Sequence, residues 1–307
     1  MSVEAAPIKT NLQVPKKQPD SPWRMAIRRF ARNRLALIGL IILIFMFLLC
    51  FIGPLFSPYS LYEYSVKDKN LAPSAEHWLG TDKLGRDVML RMMLAGRISL
   101  TVGLVATGIS VIIGSTLGAL AGFYRKGVDT LIMRIADIFL AMPSLPILII
   151  MGAVLSDLKV EPENRIYFLM LLIGVLGWSS LSRLVRGQIL TLREQEFMQA
   201  TEALGLRDRR KIFRHLLPNT VPIIIVSATL GVAGAILYES ALSFLGIGVV
   251  PPTPSWGNMI SAANNMIDFN KRPWLWIPPG MCILITVVAI NLIGDGLRDA
   301  LDPKMKK

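Results

Sequence analysis

The sequence predicts an all-α, polytopic membrane protein with six transmembrane helices, and three observations lead there. Hydrophobic residues fill 53% of 307 positions and mean hydropathy is +0.52, too apolar for an ordinary soluble chain. Six stretches free of Asp, Glu, Lys and Arg are long enough to cross a hydrocarbon layer of roughly 30 Å. They are Leu35–Phe56, Ile98–Tyr124, Ile138–Ser156, Ile166–Ser182, Asn219–Tyr238 and Trp274–Gly294. Ile166–Ser182 is the shortest and borrows Leu184 and Val185 from its flank. Finally, the basic residues favour one side: with the N-terminus inside, inner segments hold 23 of the 33 Lys and Arg. Lipid offers no partner to backbone polar groups, so runs of this length must be helices.

The charge bias places both termini in the cytoplasm. A net charge of +12 could suggest nucleic acid, but basic residues shared among four short inter-span segments do not form a nucleic-acid patch. No cleavable signal precedes the first span, and a bacterial cytoplasmic (inner) membrane is the expected setting. Cys50 and Cys282 lie in apolar spans and read as free packing thiols, and a Leu before Cys50 argues against lipid attachment there.

Four divisions follow: a cytoplasmic tail at 1–34, the first span and an extracytoplasmic segment at 35–97, a five-helix core at 98–297 and a cytoplasmic tail at 298–307. Residues 1–20 are polar and proline-punctuated, and Ser21-Pro22 then reads as an N-cap with proline at N1. Trp23, Ile27, Phe30 and Ala31 share a helical face opposite Arg24, Arg28, Arg29 and Arg32, which suggests a short interfacial helix over a simple charged stop. In the outer segment 57–97, two glycines set among Asp82, Arg86 and Asp87 predict a tight, charge-braced structure. No nucleophile is paired with a base there, so the structural reading outweighs a catalytic one.

The second span carries Gly114, Gly118 and Gly122 on one stripe, a spacing that lets helices approach closely. The third is preceded by Asp129, Arg134 and Asp137, and Pro143 and Pro146 near its start favour a kink, as hinge or as packing feature. In the fifth, Glu239 is the acidic residue well within an apolar run, and an intramembrane carboxylate is a functional suspect. A structural or gating role, satisfied by a neighbouring helix, stands ahead of a proton relay. Thr253–Ile260 reads as a short outer interfacial helix begun by Pro254, and Asp295, Arg298 and Asp299 mark the inner surface.

The loop between spans four and five, 194–218, is the most organised inter-span element. Gln195–Leu204 is helix-forming, with Phe197, Ala200, Ala203 and Leu204 on one face; Gly205 suits a left-handed C-cap. Asp208 can cap a second short helix through Lys211, Ile212 and Phe213, until Pro218 opens the next span. The result is a knob whose exposed Phe197, Leu206 and Phe213 would fit a groove on another protein.

This loop resembles the EAA loop in the inner-membrane permease subunits of ABC importers. Ala200, Gly205, Leu217 and Pro218 match its spacing, while Gln199, Thr201 and His215 depart from it. The His-x-Leu-Pro ending, Leu79–Asp87, Glu239–Gly248, Ser255–Gly257 and Gly294–Pro303 resemble the oligopeptide/dipeptide/nickel branch, across most of residues 23–303. The long outer segment after the first span makes the chain look like a C-type permease.

The resemblance implies the type I ABC importer permease fold and a permease subunit paired with a second, similar one. It implies two ABC ATPase subunits that bind ATP and each receive one loop, and an extracytoplasmic substrate-binding lipoprotein that delivers peptide. The loop residues it nominates for coupling are Phe197, Gln199, Ala200, Ala203, Gly205, Leu206, Phe213, His215 and Pro218. The chain contains no GxxxxGK[ST] phosphate loop, so it is expected to be no enzyme and to hold no cofactor or metal. Nickel is the alternative cargo. An ion-coupled secondary transporter is the rival class, resting thinly on Glu239 without a visible internal repeat.

Overall fold

The computed structural model describes residues 22–61 and 64–301. The polar segment 1–20, the Ser21 cap, the Trp23 side chain and the basic tail beyond Leu301 lie outside the described residues. Among the described residues the regular structure is helical, with one isolated antiparallel bridge between Thr81 and Asp87. Inner and outer ends are named below by the charge bias.

Helix α1 (Pro22–Phe30) is short, and a turn separates it from α2 (Arg34–Phe51), which Asn33 caps by accepting from Ala36 N at 3.2 Å. Ala26 of α1 is buried while Ile27 and Ala31 are exposed, so part of the expected apolar face is free for lipid. Pro54 ends the first span early: α2 stops at Phe51 and a 3-10 turn covers Gly53–Phe56.

Helix α3 (Val88–Tyr124) starts ten residues before the apolar run, because Asp87 caps it by accepting from Leu90 N at 2.7 Å. Polar residues at a helix end need no lipid, so charge content marks the apolar part and not the helix. The same reason extends α6 (Pro162–Arg193) and α8 (Asp208–Phe244) well beyond their apolar runs. The expected boundary at 97/98 therefore falls inside α3. The one at 297/298 falls inside the last helix, α11, which runs over Ile277–Leu301.

The third span is not one straight helix. It is α4 (Lys126–Ala141) and α5 (Ser144–Asp157), bent by 82° at Met142-Pro143. Pro143 removes a backbone donor and disfavours helical backbone at Met142, which is extended at ψ 129. Among the described residues five helices are thus long and apolar enough to span, and six if this bent pair is one span. Between α6 and α8 lies α7 (Glu196–Ala203). After α8 come α9 (Trp256–Ile260) and α10 (Met266–Lys271), which lead into α11. Helix α9 starts two residues after Pro254, with Ser255 and Asn258 forming a capping box, and Trp256 is fully buried, so this element is core and not interfacial.

Packing follows the small residues. Ideal Cβ atoms on Gly114 and Gly118 would meet Trp178 O at 2.7 Å and Ser182 O at 2.5 Å, and one on Gly122 would meet Ile189 Cβ at 2.8 Å. Helix α3 therefore lies directly on the α6 backbone along this stripe. At its inner end Ala119, Phe123, Val185, Ile189, Met198, Ile212 and Leu216 form one buried cluster. At the outer end Cys50, Val88, Ala95, Trp256 and Cys282 belong to another, and both cysteines are free thiols.

Gly118→Leu is expected to lower the thermal midpoint of the purified chain, because overpacking costs about 1–3 kcal/mol. Gly187→Leu, at a position with open space around it, should leave the midpoint unchanged. Equal effects of the two substitutions would contradict the close seam.

Candidate functional site

The inner knob is built on α7. Gln195 precedes it with extended backbone, and Gly205 follows it at φ +64, where a side chain would be strained. Gly205 N donates to Glu202 O at 2.9 Å and Leu206 N to Thr201 O at 3.2 Å, the paired bonds of a Schellman cap. Met198 and Thr201 form the buried face of α7, and the Thr201 hydroxyl donates to Met198 O at 2.7 Å. Thus Thr201, one of the departures from the EAA pattern, serves the knob's seat. Gln199, Ala200, Ala203 and Gly205 are exposed. Leu204 is 77% exposed, the most exposed large apolar side chain of the knob.

Three expectations about the knob change. Phe197 is half-buried against the inner cluster and Leu206 is half-buried, so the free apolar surface is Leu204 and Phe213. Asp208 does not cap the second helix: Arg207 occupies that position without a side-chain bond, and Asp208 pairs with Lys211 at 3.5 Å. Nor does Pro218 begin a new element. Helix α8 runs through it, with a π-helical turn at Lys211–Leu216 containing Phe213 and His215. Pro218 and Pro222 lack the N–H groups that continue a helical ladder, and Asn219 Nδ2 donates to His215 O at 2.6 Å. His215 is half-buried, with its Nε2 enclosed and without a hydrogen-bond partner among the described residues. Pro218 is exposed.

Ion pairs fix the inner ends of neighbouring helices to this platform. Arg186 of α6 binds both oxygens of Asp129 of α4, at 2.5 and 2.6 Å, and Arg183 pairs with Asp137. Arg125 pairs with Glu194, and Arg193 donates to Phe123 O. The sequence showed the acidic residues before the third span without indicating these partners, which are about fifty residues distant.

The outer end holds Glu239, fully buried near the end of α8. Ser99 of α3 donates to Glu239 Oε2 at 2.7 Å and Ser243 to Oε1 at 2.6 Å. Ser99 Oγ accepts from Trp256 N at 3.3 Å, and Ser243 Oγ from Val249 N at 2.9 Å. One carboxylate thereby ties α3, α8, α9 and the 245–255 loop together, and its hydrogen bonds offset the desolvation of burial.

In the outer segment, Asp82 accepts from Leu84 N at 2.8 Å, Arg86 N at 3.1 Å and Arg86 Nε at 2.8 Å. His77 Nδ1 lies 3.0 Å from Asp87 Oδ2, while the other Asp87 oxygen caps α3. Gly85, at φ +77, lets this loop pass against Ser65. Asp82, Arg86 and Asp87 therefore engage loop backbone, a helix start and one another's neighbours.

Between the ends, a cavity of about 310 Å³ lies among α3, α6, α8 and the α4–α5 bend. Thr107, Ser110, Ser144, Ser179 and Ser227 line it beside Gly231 and Gly234. These residues are scattered in sequence and carry no charge, so no spacing signalled them. Among the described residues no group of His, Cys, Asp and Glu could hold a metal ion.

The family model described as "binding-protein-dependent transport system inner membrane component" matches residues 114–307, and "N-terminal TM domain of oligopeptide transport permease C" matches 21–73. The chain is 43% identical to a dipeptide transport system permease protein of Alkalihalophilus pseudofirmus over 93% of its length and 91% of the relative's. It is 39% identical to an oligopeptide transport system permease protein of Bacillus subtilis, covering 95% and 92%. A putative peptide permease protein of Brucella suis is 40% identical, covering 92% and 91%.

Glu239→Leu leaves the Ser99 and Ser243 hydroxyls without their acceptor and is expected to cost about 1–3 kcal/mol for each such buried group. Glu239→Gln keeps one acceptor oxygen and should cost markedly less. Thermal unfolding in detergent reads both, and indistinguishable midpoints would contradict the staple.

Proposed function

Because this chain belongs to the inner membrane components of binding-protein-dependent transport systems, we propose that it is one permease subunit of an ATP-driven ABC importer for oligopeptides or dipeptides. Its partners are a second homologous permease subunit, two ABC ATPase subunits that bind the ATP, and an extracytoplasmic substrate-binding lipoprotein. The chain sits in a bacterial cytoplasmic membrane with both termini inside, a placement supported by the basic bias of the inner segments. Relatives named for dipeptide and oligopeptide transport favour peptide over nickel as cargo.

The observation that carries the mechanism is the seating of α7. Its buried Met198 belongs to the cluster that holds Phe123 of α3, Ile189 of α6 and Leu216 of α8. Its exposed face presents Ala200, Ala203 and Leu204. An ATPase gripping that face moves three helices at once, whereas a loosely tethered loop would absorb the motion. Closure of the ATPase pair by ATP biases inward- and outward-open states through the contacts that differ between them. Gln199, at the place of the pattern's Glu, offers the ATPase a neutral amide, and Phe213 and Leu204 supply apolar contact.

The ion-coupled reading loses its one support, since both Glu239 oxygens accept hydroxyl bonds within the protein. Glu239 instead acts as a pin at the outer end.

In proteoliposomes holding the complete importer, Leu204→Glu is expected to reduce ATP-driven peptide uptake by at least about tenfold, the factor given by roughly 1.4 kcal/mol of lost docking energy. Gly205→Pro, which cannot adopt the φ at this position, should uncouple transport while the chain still inserts. Undiminished ATP-driven uptake in both variants would refute the docking role.

A further inference from the structure

In the outer charge cluster two buried arginines share one carboxylate. Arg86 and Arg91 are 8% and 7% exposed. Both turn to a single carboxylate: Asp82 Oδ2 lies 2.7 Å from Arg86 Nη2 and 3.5 Å from Arg91 Nε. The other acidic groups nearby are committed elsewhere. Asp87 faces His77 and the start of α3, and Asp268 pairs with Arg272 at 2.5 Å. Arg91 Nη1 is left buried without a hydrogen-bond partner among the described residues.

A buried guanidinium with an unused donor carries a large desolvation cost that a further anion would offset. Arg91 also borders an open space. A cavity of about 270 Å³ is lined by Arg86, Arg91 and the exposed Lys83, by the already paired carboxylates Asp82 and Asp268, and by Asn258 and Ser261. That space suits a carboxylate and a short stem but not a folded partner.

We propose that this outer cavity binds one carboxylate through Arg91, and that its source is the C-terminal carboxylate of the incoming peptide. The assignment of the source rests on the peptide importer reading; the carboxylate chemistry does not. A planar guanidinium holds a carboxylate in a paired, directional way that an ammonium cannot reproduce. The terminal carboxylate is also the one anionic group that every unmodified peptide shares, so a site for it tolerates any side chain.

The test uses the complete importer in lipid nanodiscs with Ala262→Cys, a half-buried position lining the cavity, and reads the rate of alkylation by N-ethylmaleimide. Cys50 and Cys282 are buried and contribute a slow background. Acetate and glycylglycine are expected to slow alkylation roughly threefold at twice their Kd, where two-thirds of sites are filled. Glycylglycinamide, lacking the carboxylate, should leave the rate unchanged. Arg91→Gln should abolish protection in complexes that still purify intact, and Arg91→Lys should retain part of it.

Equal protection by the amide, or carboxylate protection that persists in Arg91→Gln, would overturn the site. Protection by acetate alone, or only by docked binding protein, would overturn the peptide terminus as source. Because acetate needs no transport, its result is independent of whether the importer carries peptides.

Discussion

The structure depends on how closely α3 can lie against α6. Hydrocarbon supplies no hydrophobic drive between two apolar helices, so association must come from dense contact and a few polar bonds. Gly114, Gly118 and Gly122 bring the two backbones together, and Gly174 and Gly177 of α6 receive Ile109 and Ser110 in return. Ser110 Oγ then donates to Gly174 O at 2.7 Å, a bond possible only at such short range. Every other feature is positioned from this seam. The inner cluster that seats α7 is its lower end, and Ser99, which meets Glu239, lies on the same helix toward its upper end.

The two ends are built on different physics. The inner end is apolar and cationic: a packed cluster beneath α7, surrounded by Arg–carboxylate pairs that tie α4 to α6. The outer end is a buried polar network, in which Glu239, Ser99, Ser243 and the backbone of Val249 and Trp256 satisfy one another. Such a network stabilises when complete and costs heavily when one member is lost. Between them sits the α4–α5 bend, where a proline-imposed break borders the hydroxyl-lined cavity.

The sequence was legible where composition and local chemistry decide the outcome. Apolar runs located the spans, the glycine stripe located a packing surface, and Gly205 at a left-handed cap was readable from its place after Leu204. Helix limits were less legible, because the helices that begin at Val88 and Asp208 start well before their apolar runs and nothing in a hydropathy run marks that. Partnerships across the fold were illegible: Asp129 with Arg186 and Glu239 with Ser99 are 57 and 140 residues apart. Phe197 shows the remaining gap. Its helical face was clear, but which face turns inward depends on the seat that α3, α6 and α8 provide.

The central claim is that α7 moves as one body with the inner end of the α3–α6 seam. Spin labels at Ala203 of α7 and Thr191 of α6, both exposed, test it most directly in the complete importer by the distance between them. The account predicts one narrow distance that stays fixed when ATP is added, even as distances between this permease and its partner change. A distance that broadens or shifts with nucleotide would mean that the knob swings on its own, and the proposed mechanical linkage would then be wrong.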